Sequence, residues 1–508
     1  MNKTSISRRQ FIKGSAYSCA ACVFLSGSDL WAESFMDPAN FGPIPYPALP
    51  YPAPDWLRHA VIIEVPTRGF NVSDYKNPKN WKSPYGDTTY KSIAARLDFL
   101  QDMGINVLCL YSVYNCTPTT KLYALRYTEP NPDMGTLAEV RDLIGQAHAR
   151  GMHVLSNTNH YGVARNSPLL AEHPAWFLPP GQLRAHQRLF DLNHAEARAY
   201  IIDTHVWWCT EVGLDGWRID CGAWSFKKSV WSEILTRCAS KGKRILLTPE
   251  DKRLVGHIQG SGLHGYAPIL DLANNCPLTG ATENDPYRCK EISGHNVGEP
   301  KDECSAYNSN SGGACGREGC YRVQGSRFIY GHNSMFAPMV PWMLPGEVFN
   351  ATHLALPVTD YNAKMLHSWL DWTDVESQKA VVEDFRKINK IRAAHPDIFH
   401  NNMYEARLIN VPCTSDPTSP VNPYARYISG RKAGIVIGNN SLTEDVTFTL
   451  EIPLAAMGME GSSELKVTDC WAGTTTRVAR NALHRHSLLV PRDKAAGGGV
   501  RVLIIEPT

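Results

Sequence analysis

The chain has 508 residues, 43% of them hydrophobic and 20% charged, with a net charge of +2. This ordinary globular balance excludes a disordered, collagen-like or coiled-coil chain. No apolar run of about 18 residues follows the N-terminal segment, which excludes a multi-span membrane protein. Residues 1–32 carry Lys3, Arg8, Arg9 and Lys13 against Asp29, which leaves the remainder at −1. Such a remainder has no electrostatic claim on nucleic acid or acidic lipid.

The N-terminus opens Ser7-Arg8-Arg9-Gln10-Phe11-Ile12-Lys13, followed by a moderately apolar stretch over 16–25 and then Leu30-Trp31-Ala32. A charged start, a short apolar middle and a small residue at the end make an export signal. Paired arginines before Phe resemble the twin-arginine signal of bacteria. The expectation is cleavage near Ala32, a periplasmic or secreted location, and no membrane attachment once the signal is gone. Residues 33–55 form a lead-in, with six prolines between 41 and 54 that favour an extended course.

From residue 56 short apolar runs alternate with helical patterns. Runs at 60–65, 105–110, 153–155, 214–219, 244–247, 267–272 and 327–330 read as strands. Ile93, Leu97 and Leu100 stand at helical spacing over 90–103. Thr136-Leu137-Ala138-Glu139 has the form of a capping box, and Leu137, Val140, Ile144 and Ala147 form one face of the helix it starts. A further helix is expected over 195–212, closed by Gly213. Strand then helix, repeated over residues 56–402, predicts parallel strands with crossover helices, and the length suits a (β/α)₈ TIM barrel with insertions at 161–190 and 273–325. After 403 the chain turns to short strand-like runs at 434–438, 446–452, 465–467 and 500–505, which predict a C-terminal antiparallel β-sandwich over 403–508. The fold class is therefore α/β with an appended all-β domain.

Polar residues at the C-terminal ends of barrel strands are the default catalytic candidates. Asn159-His160 ends one run, Arg218 and Asp220 end Gly213-Leu214-Asp215-Gly216-Trp217-Arg218-Ile219-Asp220, Glu250 follows Leu247-Thr248-Pro249, and His332-Asn333 follows Phe328-Ile329-Tyr330-Gly331. Two carboxylates on neighbouring strands suit glycoside cleavage, one attacking the anomeric carbon and the other protonating the leaving oxygen. At about 5–5.5 Å apart they leave no room for water, and configuration is retained. Arg218, two residues before Asp220, shares its strand face and would hold Asp220 ionised. Glu250 has to keep its proton to act as the acid.

These residues resemble glycoside hydrolase family 13, the α-amylase family, over roughly 56–505. Glu64-Val65-Pro66-Thr67-Arg68-Gly69-Phe70 looks like the family's first strand, and residues 97–114 resemble its second helix and strand. Phe190-Asp191-Leu192-Asn193 resembles the segment before the fourth strand. Residues 213–220 match the nucleophile motif almost residue for residue. Leu344-Pro345-Gly346 resembles the start of the eighth strand, and Asp371-Trp372 with residues 386–396 the last barrel helix. The resemblance implies Asp220 as nucleophile, Glu250 as acid/base, Arg218 as the partner of Asp220, and His160 and His332 as sugar-binding groups.

Three positions depart from the family. Its third carboxylate, directly after the second histidine, is Asn333 here, with Asp360 in Val358-Thr359-Asp360 as the rival position. Lys121-Leu122-Tyr123 stands where a stacking tyrosine is usual. Leu155-Ser156-Asn157-Thr158 lacks the aspartate usual before Asn159-His160. Asn159 corresponds to a calcium ligand in many relatives, so calcium is the one ion the resemblance brings in; no cofactor is required by the two-carboxylate chemistry.

Of 14 cysteines, Cys276, Cys289, Cys304, Cys315 and Cys320 crowd a Gly-, Asn- and Ser-rich insertion. In an exported chain this predicts disulfides, while Cys413 and Cys470 are candidates to pair within the sandwich and Cys109 reads as core. The leading reading is an exported hydrolase of α-glucans or α-linked oligosaccharides acting with retention. A transglycosylase uses the same residues, and a carbohydrate-binding pseudoenzyme is the reading that Asn333 and Leu122 motivate. Oligomeric state is not legible.

Overall fold

The computed structural model describes residues 51–65, 70–71, 88–117, 123–180, 187–220, 227–249, 326–335, 340–343, 372–401, 406–419, 421, 423–439, 441, 443–493 and 495–508. The leader, Glu250, the cysteine-rich insertion, Leu122 and Asp360 lie outside them.

The barrel begins with β1 (Ile62–Val65). Two short helices follow, α1 (Tyr90–Ala94) and α2 (Leu97–Asp102), where the sequence pattern predicts one; the chain steps sideways at Ala95 and Arg96 between them. Next come β2 (Val107–Leu110) and an excursion of paired strands β3 (Tyr114–Cys116) and β4 (Ala124–Pro130). Helix α3 (Leu137–Ala149) starts at Thr136, whose hydroxyl accepts from Glu139 N while Glu139 Oε2 accepts from Thr136 N. That reciprocal cap satisfies two otherwise orphaned amides. Its buried stripe is Val140, Leu143, Ile144 and Ala147, and Leu137 packs half-buried against the same core.

β5 (His153–Thr158) leads into a second excursion, with β6 (Gly162–Ala164), α4 (Leu169–Glu172) and β7 (Gln187–Leu189). Helix α5 (Ala195–Trp207) widens into a looser turn over Trp208–Val212 and ends at Gly213, whose φ of +115° is a left-handed conformation that favours glycine. β8 (Gly216–Ile219), α6 (Lys228–Ser240) and β9 (Leu246–Pro249) complete this half. Gly216 is required by close approach, because a Cβ there would lie 2.1 Å from Leu246 O on the adjacent strand.

After residue 325 the expectation and the structure part. Residues 327–330 belong to helix α7 (Ser326–Asn333), not to a strand. β10 (Trp342–Met343) then pairs with β1, and α8 (Asp374–Ser377) and α9 (Lys379–Ala394) follow. The parallel sheet runs β10-β1-β2-β5-β8-β9. Its last strand in sequence lies beside its first, the mark of a sheet closed on itself, and the architecture is a (β/α)₈ barrel.

Strand alternation sorts the barrel residues by face. Ile63, Val65, Leu108, Leu110, Val154, Trp217, Ile219 and Leu247 join the large core beneath the helices. The opposite face of the same strands carries Glu64, Cys109, Leu155, Asn157, Arg218 and Thr248, all buried. A row that holds Glu, Asn and Arg inside a closed sheet is not a packing solution, so it marks where the chemistry sits.

The C-terminal domain contains β11 (Arg407–Asn410), β12 (Cys413–Asp416), β13 (Tyr424–Ile428), β14 (Lys432–Gly438), β15 (Val446–Leu450), β16 (Glu464–Asp469), β17 (Thr474–Ala479), β18 (His486–Val490) and β19 (Val500–Pro507). They form two antiparallel sheets, β11-β13-β14-β19-β16-β17 and β12-β15-β18. Val446, Phe448 and Leu450 face Leu465 and Val467 in one core while Thr447, Glu464 and Lys466 face out, as a sandwich demands. Cys413 and Cys470 do not pair: both are free thiols, Cys413 on the smaller sheet and Cys470 against the barrel core beside His395.

The sandwich is not a separate body. Tyr424, Val436, Trp471, Val500, Val502 and Ile504 belong to the same apolar cluster as Tyr330, Phe385 and Ile388 of the barrel. A Cβ on Gly438 would lie 2.4 Å from Phe328 of α7. Glycine is what lets helix and sheet touch there.

Candidate active site

Asp220 directly follows β8, at its C-terminal end, and is 4% exposed. Three neighbours fix it. Arg218 Nη1 lies 3.4 Å from Asp220 Oδ1, and both side chains are buried. The same Nη1 donates to Asn157 Oδ1 at 3.1 Å. On the other side Asn159, with its amide oriented by its hydrogen-bond partners, donates from Nδ2 to Asp220 Oδ2 at 2.6 Å and to Asp220 O at 3.1 Å. A carboxylate held from two sides by a guanidinium and an amide cannot swing, and that is what a nucleophile needs.

The loops behind this network are tied down. Tyr127 on β4 donates from its hydroxyl to Asn159 O and to Gly162 O, the latter at 2.7 Å. Asn159 N donates to Tyr114 Oη at 3.0 Å. Thr158 Oγ1 lies 2.9 Å from His205 Nε2 on α5, and burial pushes the His205 imidazole down to about 4, so it stays neutral. Deeper in the barrel, burial raises the Cys109 thiol, with the Glu64 carboxylate adding to the shift and Arg218 opposing it. Glu64 and Arg218 therefore both lie close to this thiol.

The other expected residues fall as follows. His160 ends β5 as expected but is fully buried, its ring edge-on to Trp231 at 5.0 Å and to Tyr161 at 5.8 Å. His332 does not stand at a strand end. It lies on α7, fully buried, with its ring 5.0 Å from Tyr424 of the sandwich, and the Tyr424 hydroxyl donates to His332 O. It stands at the junction of helix and sandwich. Asn333 is the last residue of the same helix, where a strand end was expected. The reason for the difference is physical: Arg327, Phe328, Tyr330 and His332 are all buried, and the short run Phe328-Ile329-Tyr330 passes for a strand.

Asn159 turns its Nδ2 to Asp220, and its main-chain oxygen accepts from Tyr127. Among the described residues, the one group of three converging metal-ligand side chains is His148, His153 and Asp215, at the other end of the barrel. Residues that the sequence does not single out are Asn157, the acceptor for Arg218, and Tyr127, the brace on Asn159. The inward alternation of β5 could have found the first; the second comes from an excursion whose path is not legible.

The catalytic-domain model of the α-amylase family matches residues 55–166. The intracellular maltogenic amylase of Bacillus subtilis (strain 168) is 27% identical over 209 residues, 35% of this chain and 35% of that protein. The cyclomaltodextrinase of Thermoanaerobacter pseudethanolicus is 22% identical over 449 residues, 79% of this chain and 73% of that one. The chain thus spans about a third of the length of the first relative and nearly three quarters of the second. Among solved structures, the α-amylase of Geobacillus thermoleovorans shares the fold with a TM-score of 0.61 at 16% identity, over 89% of this chain and 99% of that one. The maltogenic α-amylase AmyB of Thermotoga neapolitana gives 0.61 at 16% identity, over 89% and 100%. The barrel and the sandwich agree with these likenesses, and the match to the α-amylase catalytic domain covers residues 55–166.

Proposed function

We propose that this protein hydrolyses α-glucosidic bonds of glucans or oligosaccharides by double displacement with retention. The observation that carries the reading is the register between β8 and β9. It pairs Ile219 with Pro249, the residues directly before Asp220 and Glu250. Asp220 and Glu250 each come next in sequence after this pair, and retention asks for two carboxylates about 5–5.5 Å apart. Asp220 attacks the anomeric carbon and forms a glycosyl ester while Glu250 gives its proton to the departing oxygen. Glu250 then takes a proton from water, whose oxygen attacks the same carbon and releases Asp220.

The test is incubation with a panel of α-linked glucans, cyclic dextrins and short maltosides, reading reducing ends, transfer products and anomeric configuration. Retained configuration with Asp220→Asn at least about a hundredfold slower is expected. Inverted product, or a variant of near-normal turnover, overturns the mechanism. Dominant transfer products assign the chain to transglycosylation.

We further infer export. The paired arginines and short apolar stretch of residues 1–32 support it. Replacing Arg8 and Arg9 together by Lys is expected to leave the protein in the cytoplasmic fraction. An unchanged periplasmic signal rejects the twin-arginine route.

A further inference from the structure

The N-terminal end of the barrel, opposite Asp220, holds a second constellation. His148 lies in the last turn of α3, His153 opens β5, and Asp215 directly precedes β8. His148 Nε2 is 2.8 Å from Asp215 Oδ2, and His153 Nδ1 is 3.7 Å from the same oxygen. The three donor atoms lie within 4.8 Å of one another.

We propose that these three side chains form a binding site for a divalent ion of the zinc class. Two imidazole nitrogens and one carboxylate oxygen suit zinc, whereas calcium and magnesium want oxygen cages. Bonds of about 2 Å in a tetrahedron place donors about 3.3 Å apart, and the separations of 2.8 and 3.7 Å bracket that value.

The surroundings hold the donors in place. Val154 N donates to Asp215 Oδ2 at 2.8 Å. Lys243 Nζ, the cation that faces this carboxylate, lies 3.6 Å from Oδ1 and donates to Gly213 O, so it occupies the far oxygen, while Oδ2 faces the imidazoles and the Val154 amide. Trp56 stacks on His153 at 4.3 Å and 16°, which fixes the ring plane. Such supporting contacts orient metal ligands elsewhere. The His148 and His153 side chains are 38% and 25% exposed, so an ion can enter and keep a water as fourth ligand. Bound there, it would join α3, β5 and β8 at one point.

The test uses the full chain freed of metal by a chelator, titrated with Zn²⁺ by calorimetry and with Co²⁺ by absorption spectroscopy. His153→Phe keeps the stack on Trp56 and removes one ligand; His148→Gln serves should that variant fold poorly. One zinc per chain is expected, with a raised unfolding temperature and cobalt bands free of thiolate charge transfer. Either variant should bind at least about tenfold more weakly, while glucan cleavage at the other end of the barrel is unchanged. Absence of zinc binding to the wild type overturns the site, as does equal affinity in the wild type and both variants.

Discussion

Asp215 and Asp220 flank the same four-residue strand, yet the barrel gives them opposite tasks. Asp215 sits at the strand's start among His148, His153, Lys243 and a main-chain amide. Burial pushes its carboxyl up, but the hydrogen bonds from His148 and His153 and the charge of Lys243 outweigh this and hold it below the usual carboxylate range. It pins three elements together. Asp220 sits at the strand's end between Arg218 and Asn159, at the mouth where barrel enzymes place their chemistry. Residue type does not separate the two; position along the strand does.

Exchanging each for asparagine sharpens that contrast. Asp220→Asn should cost at least about two orders of magnitude in kcat with little change in unfolding midpoint. Asp215→Asn should do the reverse, costing about 1–3 kcal/mol of stability and leaving turnover per folded molecule intact. Denaturant titration beside active-site titration measures both, and a matched loss of activity in the two variants would erase the distinction.

A smaller effect probes how Asp220 is held. Asn159→Asp sets a second carboxylate within hydrogen-bond reach of the first. Two carboxylates sharing one site do not both ionise readily, so the acidic limb of the kcat/KM profile should move up by about one pH unit. An unmoved limb means that Asn159 does not contact Asp220 in solution.

The smallest effect concerns a third aspartate that serves neither end. Asp493, in the sandwich, lies 3.6 Å from Arg327 of α7 and is fully buried. Burial pushes its carboxyl up to about 7, against the pull of Arg327. Unfolded, it titrates near 3.9, so between about pH 4 and 7 the native chain binds the extra proton and stability falls as pH rises. Above 7 the loss is complete. Asp493→Asn should flatten this slope, which unfolding midpoints at pH 5 and pH 8 would show. Parallel changes in wild type and variant would place the proton elsewhere.

Much of this arrangement is legible in the order of the amino acids. The parallel strands β1, β2, β5, β8 and β9 announce themselves through apolar runs, and the span from Gly213 to Asp220 carries its own motif. Thr136 and Glu139 mark the start of α3. Legibility fails where burial is complete. Helix α7 is short and buries Arg327 and His332 along with Phe328 and Tyr330, so the pattern assigns His332 and Asn333 to the wrong kind of element. The contact of Asn159 is hidden too, because only the three-dimensional course of β5 against β8 shows that its amide meets the Asp220 carboxylate.

Helix α7 has a consequence for the order of events at the ribosome. It packs on α9 from one side and on β14 and β19 from another. The last of those strands closes only at residue 507. While the chain is being made, the barrel's own seventh helix therefore waits with Phe328 and its neighbours wet. The barrel cannot finish until the sandwich has left the exit tunnel, and a nascent chain stalled after residue 402 would present an apolar seam to every other such chain. Any factor that shields such chains has the most to do in the interval before residues 403–508 arrive.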